Sequence, residues 1–252
     1  MILMYHHVAP RQANPPSHAP GYLSITPEAL EKQLCGLMDR GFRFVRFESM
    51  AAEIEERGYV SGRTAAITLD DGWADNYQYA FPIFKKLNLP ATFFITTAHL
   101  LGGTDRQGGE KMRPSEIIEI HKYGMSVGGH TRTHADLLKL TLGQAREEIR
   151  GCKLDIENLL GAPATQFAYP GGSFNRDIAR IVQEAGYTAA CSVMGLGINL
   201  RSSLFWLYRD VLTNGMDTLP DIFRVHRALR VLMLPRTWWR TREAIARQGE
   251  QL

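Results

Sequence analysis

Two pairs of side chains in this sequence could do chemistry together. Asp70 and Asp71 stand side by side after the apolar run 65–69 and are followed by Gly72, while His130 and His134 stand four residues apart in His130-Thr131-Arg132-Thr133-His134. Adjacent carboxylates repel each other in a low-dielectric site, so water or a cation is what keeps both ionised. Histidines at i and i+4 reach one metal ion from a single helical turn. No Glu follows His130, which excludes the His-Glu-x-x-His metalloprotease pattern. Joined by a carboxylate from another strand end, the histidines make a two-His, one-carboxylate site with open positions. An open divalent site can lower the pKa of bound water to about 7 and polarise a carbonyl. Hydrolysis also needs a base, a proton donor for the leaving group and an oxyanion hole. The two aspartates can divide the jobs of base and ligand, His6 could be the acid, and the backbone N–H of Gly171, in the Pro170-Gly171-Gly172 turn, could serve the oxyanion.

These residues need rigid elements to hold them. Residues 65–69 are small, β-branched or apolar and read as a buried strand that Gly72 turns away from. The run 2–8 reads as a strand that delivers His6 or His7 to its end. Further strands are expected at 42–47, 91–97, 125–129, 165–169, 187–193 and 205–212. Helices are expected from Thr26 to Gly41, and over 48–57, 74–88, 115–123, 141–160 and 175–185, with a kink or break near Phe81 caused by Pro82. Thr141 and Gln144 form a capping box. Residues 9–24 and 102–113 read as loops. Strand and helix alternate seven or eight times without a break in composition, which predicts an α/β fold, a barrel of parallel strands with its chemistry at the strand carboxyl ends. His6, Asp70, Asp71, His130, His134 and Gly171 all fall at such ends.

At 252 residues with 44% hydrophobic and 22% charged content, the chain can bury one large core. A net charge of +3 is too small and too dispersed to point to nucleic acid. Cys35, Cys152 and Cys191 are odd in number and far apart, as expected of reduced thiols. The first residues lack the basic and apolar regions of an export signal, which places the expected location in the cytoplasm or at the inner membrane face.

The Thr68-Leu69-Asp70-Asp71-Gly72 stretch resembles the first motif of the polysaccharide deacetylases of carbohydrate esterase family 4, and His130-Thr131-Arg132-Thr133-His134 resembles the second. The resemblance spans about residues 1–212 and implies a distorted (β/α) barrel of about seven parallel strands. It implies that Asp71, His130 and His134 bind the metal, that Asp70 activates water and that His6 is the acid. The metal is expected to be Zn²⁺, with Co²⁺, Ni²⁺ or Fe²⁺ able to use the same donors. The implied reaction is metal-assisted hydrolysis of an acetamido group on a sugar, such as poly-N-acetylglucosamine, a chitin-like polymer or a lipid-linked glycan. Two departures stand out. Ala168 occupies the place where the third motif usually carries an Arg that orients the base, and Arg209 is the candidate replacement. The Leu3-Met4-Tyr5-His6 segment opens the chain instead of closing it, which resembles the circularly permuted branch that contains poly-N-acetylglucosamine deacetylases.

Two other readings use the same residues: a catalytically silent glycan-binding member of the fold and a non-haem iron oxygenase. Residues 213–252 form a separate basic tail, part of the barrel domain or peripheral to it, with helices expected at 221–234 and 237–248. Seven arginines and the adjacent Trp238 and Trp239 suit either an anionic membrane surface or a solvated helix face.

Overall fold

The computed structural model describes residues 1–10, 23–103, 109–193 and 199–214. The basic tail and its tryptophans, the middle of the 9–24 loop and part of the 102–113 loop lie outside the described residues. The strands are β1 (Ile2–Tyr5), β2 (His7–Val8), β3 (Ser24–Ile25), β4 (Arg43–Phe44), β5 (Thr64–Leu69), β6 (Ala91–Ile95), β7 (Ser126–Gly129), β8 (Gln166–Ala168), β9 (Ala189–Cys191) and β10 (Asp210–Val211). The α-helices between them are α1 (Pro27–Asp39), α2 (Phe47–Arg57), α3 (Phe81–Leu87), α4 (Pro114–Lys122), α5 (Leu142–Leu160) and α6 (Arg176–Glu184).

Seven strands run parallel in the order β10-β1-β5-β6-β7-β8-β9, with β4 also paired to β5, and the sheet curls into a half-barrel. β5 lies inside the sheet between β1 and β6, and all six of its residues are buried, as a parallel strand covered on both faces requires. One face of the sheet, with Ile2, Ala66, Phe94, Ala168, Ala189 and Cys191, packs against Phe47, Met50 and Ile54 of α2. The alternate residues Leu3, Ile67, Leu69, Phe93 and Ile95 pack with Leu30 and Leu34 of α1, Phe84 of α3 and Ile117 and Ile120 of α4. This two-fold alternation gives a strand its two buried faces.

The edges of the sheet meet in a short segment. Leu207 donates its N–H to Ala190 of β9 and accepts from Ser192 just after that strand, while three residues later Asp210 pairs with Leu3 of β1. One segment therefore bonds the last strand of the sheet and the first.

Several elements are shorter than their sequences suggest, and for two of them the reason is visible. Regular strand structure in 205–212 is confined to Asp210–Val211, because the preceding residues make the seam and Arg209 turns wholly into the interior. In 42–47 only Arg43–Phe44 pairs; Phe47 begins α2 and meets Phe94 edge-on at 5.7 Å, so burial of that ring inside the sheet overrides its strand pattern. The break expected near Phe81 is present: a π-helical turn over Asn76–Ala80 gives way to α3, with Pro82 in its first turn, where a missing N–H costs nothing. Thr141 and Gln144 form the expected capping box on α5. The three cysteines are free thiols.

Candidate active site

The two adjacent carboxylates are separated by the turn that follows β5. Asp71 has φ 76° and Gly72 φ 72°, so two consecutive residues are left-handed. A side chain at position 72 would meet Ile95 at 3.1 Å, which leaves glycine as the residue that fits. Non-glycine residues adopt this backbone at a cost of roughly 1–3 kcal/mol, and it concentrates where function holds it in place. The turn sends the two carboxylates toward different partners.

Asp70 faces Arg209. The guanidinium spans both carboxylate oxygens, Nη1 to Oδ1 and Nη2 to Oδ2, at 2.6 Å each, and both residues are almost fully buried. Two further donors are used: Nε bonds the Ser192 carbonyl at 2.9 Å and Nη1 reaches the Thr68 hydroxyl at 3.2 Å. Burial pushes the Asp70 carboxyl up, but the Arg209 charge and its bonds outweigh that and hold it below the ordinary carboxylate value. Burial likewise works against the Arg209 charge, and Asp70 raises its pKa above the usual arginine value. Arg209, proposed from sequence only to fill the job left by Ala168, is thus the fork that fixes the plane of Asp70.

Asp71 faces the histidines. Its Oδ1 lies 3.2 Å from His130 Nε2 and 3.3 Å from His134 Nε2, and the donor atoms of the three residues lie within 4.8 Å of one another. His130 Nδ1 contacts the Ala168 carbonyl at 2.8 Å, a contact that needs its proton there and turns the Nε2 lone pair toward Asp71. Two lone pairs would then face each other across 3.2 Å, and Oδ1 is a buried oxygen with no hydrogen-bond donor. Carboxylate oxygen and imidazole nitrogens turned toward a common point, with no proton between them, fit a divalent cation.

The loop carrying both histidines is strained and strapped. Thr131 has φ 65° and His134 φ 58°. The Arg132 carbonyl accepts the N–H groups of Thr97 and Ala98 beyond β6. Its guanidinium makes two 2.9 Å bonds to Asp155 of α5, which also accepts from the Thr97 hydroxyl at 2.7 Å. Glu148, two turns earlier on the same helix, accepts from the Thr133 N–H at 2.9 Å and from its hydroxyl at 2.7 Å. Sequence reading missed this clamp; its only trace is two acids seven residues apart on a long helix, and nothing in that spacing says which loop they hold.

His6 follows β1 in the same neighbourhood. Burial pulls its pKa below the ordinary imidazole value, Asp71 and Asp70 push it up, and Arg209 and His130 push it down again. His7 is engaged differently: its Nδ1 lies 2.7 Å from Asp75 and its ring stacks on Trp73 at 4.4 Å. Gly171 sits exposed at the tip of the turn after β8, with φ 59°. Trp73, whose Nε1 donates to Asp71 Oδ2 at 3.0 Å, had no chemical signal in the sequence.

A sequence profile of the family described as "Polysaccharide deacetylase" matches residues 57–190. The poly-beta-1,6-N-acetyl-D-glucosamine N-deacetylase of Staphylococcus aureus (strain MSSA476) is 24% identical over 203 residues, covering 76% of this chain and 68% of that protein. The solved structure of the Streptococcus pyogenes deacetylase PplD in complex with acetate aligns with a TM-score of 0.77 at 24% identity, over 88% of this chain and 96% of the other. That of IcaB from Ammonifex degensii aligns with a TM-score of 0.74 at 23% identity, over 90% and 96%.

Proposed function

Because the chain belongs to the polysaccharide deacetylase family, we propose that it is a metal-dependent hydrolase that removes acetyl groups from N-acetylated sugars, poly-N-acetylglucosamine being the substrate class favoured by its Staphylococcus aureus relative. The observation that carries this reading is the division of the paired carboxylates: Asp71 turns an orphaned oxygen toward two imidazoles while Asp70 is held in a guanidinium fork. Asp71, His130 and His134 would hold a divalent ion, Zn²⁺ by the chemistry of the donors, whose Lewis acidity activates water and polarises the acetyl carbonyl.

The chain's own residues supply the rest. Asp70 is ionised and fixed in plane by Arg209, so it stands ready to take the proton of the attacking water. The Gly171 N–H, at an exposed turn, would donate to the acetyl oxygen as negative charge develops there. His6 would hand a proton to the departing sugar nitrogen. Its lowered pKa makes it a stronger acid than ordinary imidazolium but leaves a smaller fraction charged at neutral pH. The Arg209 fork on Asp70 supports turnover despite Ala168.

Acetate release from a panel of N-acetylglucosamine oligomers tests the proposal, run with and without chelator and metal add-back, beside the Asp70→Asn protein. Chelator-sensitive release that the variant lacks is the expected result. No release from protein holding one metal per chain would overturn hydrolysis in favour of glycan binding, and reductant-dependent oxygen uptake would revive the oxygenase.

A further inference from the structure

Trp73 touches the second oxygen of the ligand carboxylate. Its indole N–H donates to Asp71 Oδ2 at 3.0 Å, while Oδ1 alone turns to His130 and His134. The ring has little freedom to let go. It is 2% exposed, stacks on His7 at 4.4 Å with 26° between the planes, and lies beneath the Lys111 ammonium, 3.2 Å from the ring centroid. Lys111 also donates to the Asp71 carbonyl at 3.1 Å, and its backbone bridges that of Trp73. His7 is in turn fixed by Asp75 at 2.7 Å. The carboxylate plane of Asp71 is therefore set by a packed aromatic and not by its metal-facing partners alone.

We propose that Trp73 is a positioning residue that sets the denticity of Asp71: by tying Oδ2 it presents a single oxygen to the ion and keeps the carboxylate from closing on it as a chelate. The consequence follows from counting donors. Three protein atoms leave an open site for water and substrate, whereas a bidentate Asp71 would take a fourth position that hydrolysis needs. This inference rests on the proposed metal-dependent reading, so its test must separate the two.

The test uses Trp73→Phe, which keeps an aromatic ring under Lys111 and against His7 but removes the N–H. The probe is Co²⁺ added to the metal-free full chain, read by visible absorption and by competition with a chromophoric chelator. In the unaltered protein Co²⁺ should give a low-coordinate spectrum. In Trp73→Phe the d–d bands should weaken as coordination rises, and Co²⁺ affinity should change by about 10-fold or more, the scale on which partners of metal ligands act. Turnover with the oligomer substrate should fall in kcat with KM little changed, while the thermal midpoint of the metal-free protein stays close to that of the parent. A role confined to packing would move the midpoint and leave the cobalt spectrum alone. If Trp73→Phe does not fold, β-(3-benzothienyl)alanine incorporated at position 73 keeps the bicycle and replaces the N–H with sulfur. Identical cobalt spectra and affinities with and without the N–H overturn the inference while leaving the metal site standing. Failure of the unaltered protein to bind Co²⁺ overturns the metal reading itself, and this one with it.

Discussion

Replacing Arg209 with Met is the sharpest perturbation the fold offers, because it deletes one member of a fully buried ion pair while nearly conserving volume. Asp70 would keep its burial and lose both 2.6 Å bonds. Removing one partner of a buried pair costs about 3–5 kcal/mol, since the other charge stays desolvated and uncompensated. Against a domain stability of roughly 5–15 kcal/mol, that is a large share of the total. Urea unfolding at pH 7 should show this loss for Arg209→Met. The double variant with Asp70→Asn should cost less than the sum of the single changes, because the stranded charge is then gone. Kinetics should move in parallel. Without the guanidinium, burial raises the Asp70 pKa against only the weaker pull of His130 and His6, so the acid limb of kcat/KM should shift to higher pH in Arg209→Met. A stability change within about 0.5 kcal/mol, of the kind seen for surface substitutions, with an unmoved acid limb and additive variants, would refute the pairing argument.

Three further outcomes follow. Asp70 titrates below its unfolded value, so its stabilisation is complete above the unfolded carboxylate pKa of about 4 and is lost as pH falls through the lower native value. His6, also lowered, removes stability as pH drops below its unfolded value of about 6.5, so urea midpoints should decline from pH 7 toward pH 5 and then more steeply; a midpoint that rises on acidification contradicts these signs. Asp155→Asn weakens the Arg132 strap on the histidine loop and should lower metal affinity by about 10–100-fold in chelator competition, and unchanged affinity would make the clamp irrelevant to the site. His6→Ala should cut turnover by roughly 10²–10⁴-fold with metal content unchanged, and full activity at every pH would remove His6 from the mechanism.

Much of the architecture was legible because its signals are local. The alternation of strands and helices, the β5 run, the capping box at Thr141 and the break at Pro82 each depend on a few neighbouring residues. The Asp70-Asp71-Gly72 and His130 to His134 motifs were legible for the same reason. What was hidden depends on long-range packing. Asp155 and Glu148 look like ordinary exposed-face acids of an amphipathic helix until α5 is laid beside the histidine loop. Trp73 looks like core, and its N–H acquires a role only through the left-handed turn at Asp71. Arg209 was reached indirectly, through the Arg that Ala168 replaces, and the strand expected around it is cut short because the segment spends its backbone on joining two edges.

That seam ties readiness to completion. Arg209 meets Asp70 across 139 residues of chain, from the stretch that joins β9 to β1. Contacts between residues so distant in sequence carry a large loop-closure entropy and favour late formation. The strands β5 to β9 alone already carry Asp71, His130 and His134, yet without the 207–211 segment Asp70 would have no fork to face. Such a half-built barrel could gather metal ions before it could direct a base, and hydrolytic competence would arrive with the segment that shuts the sheet.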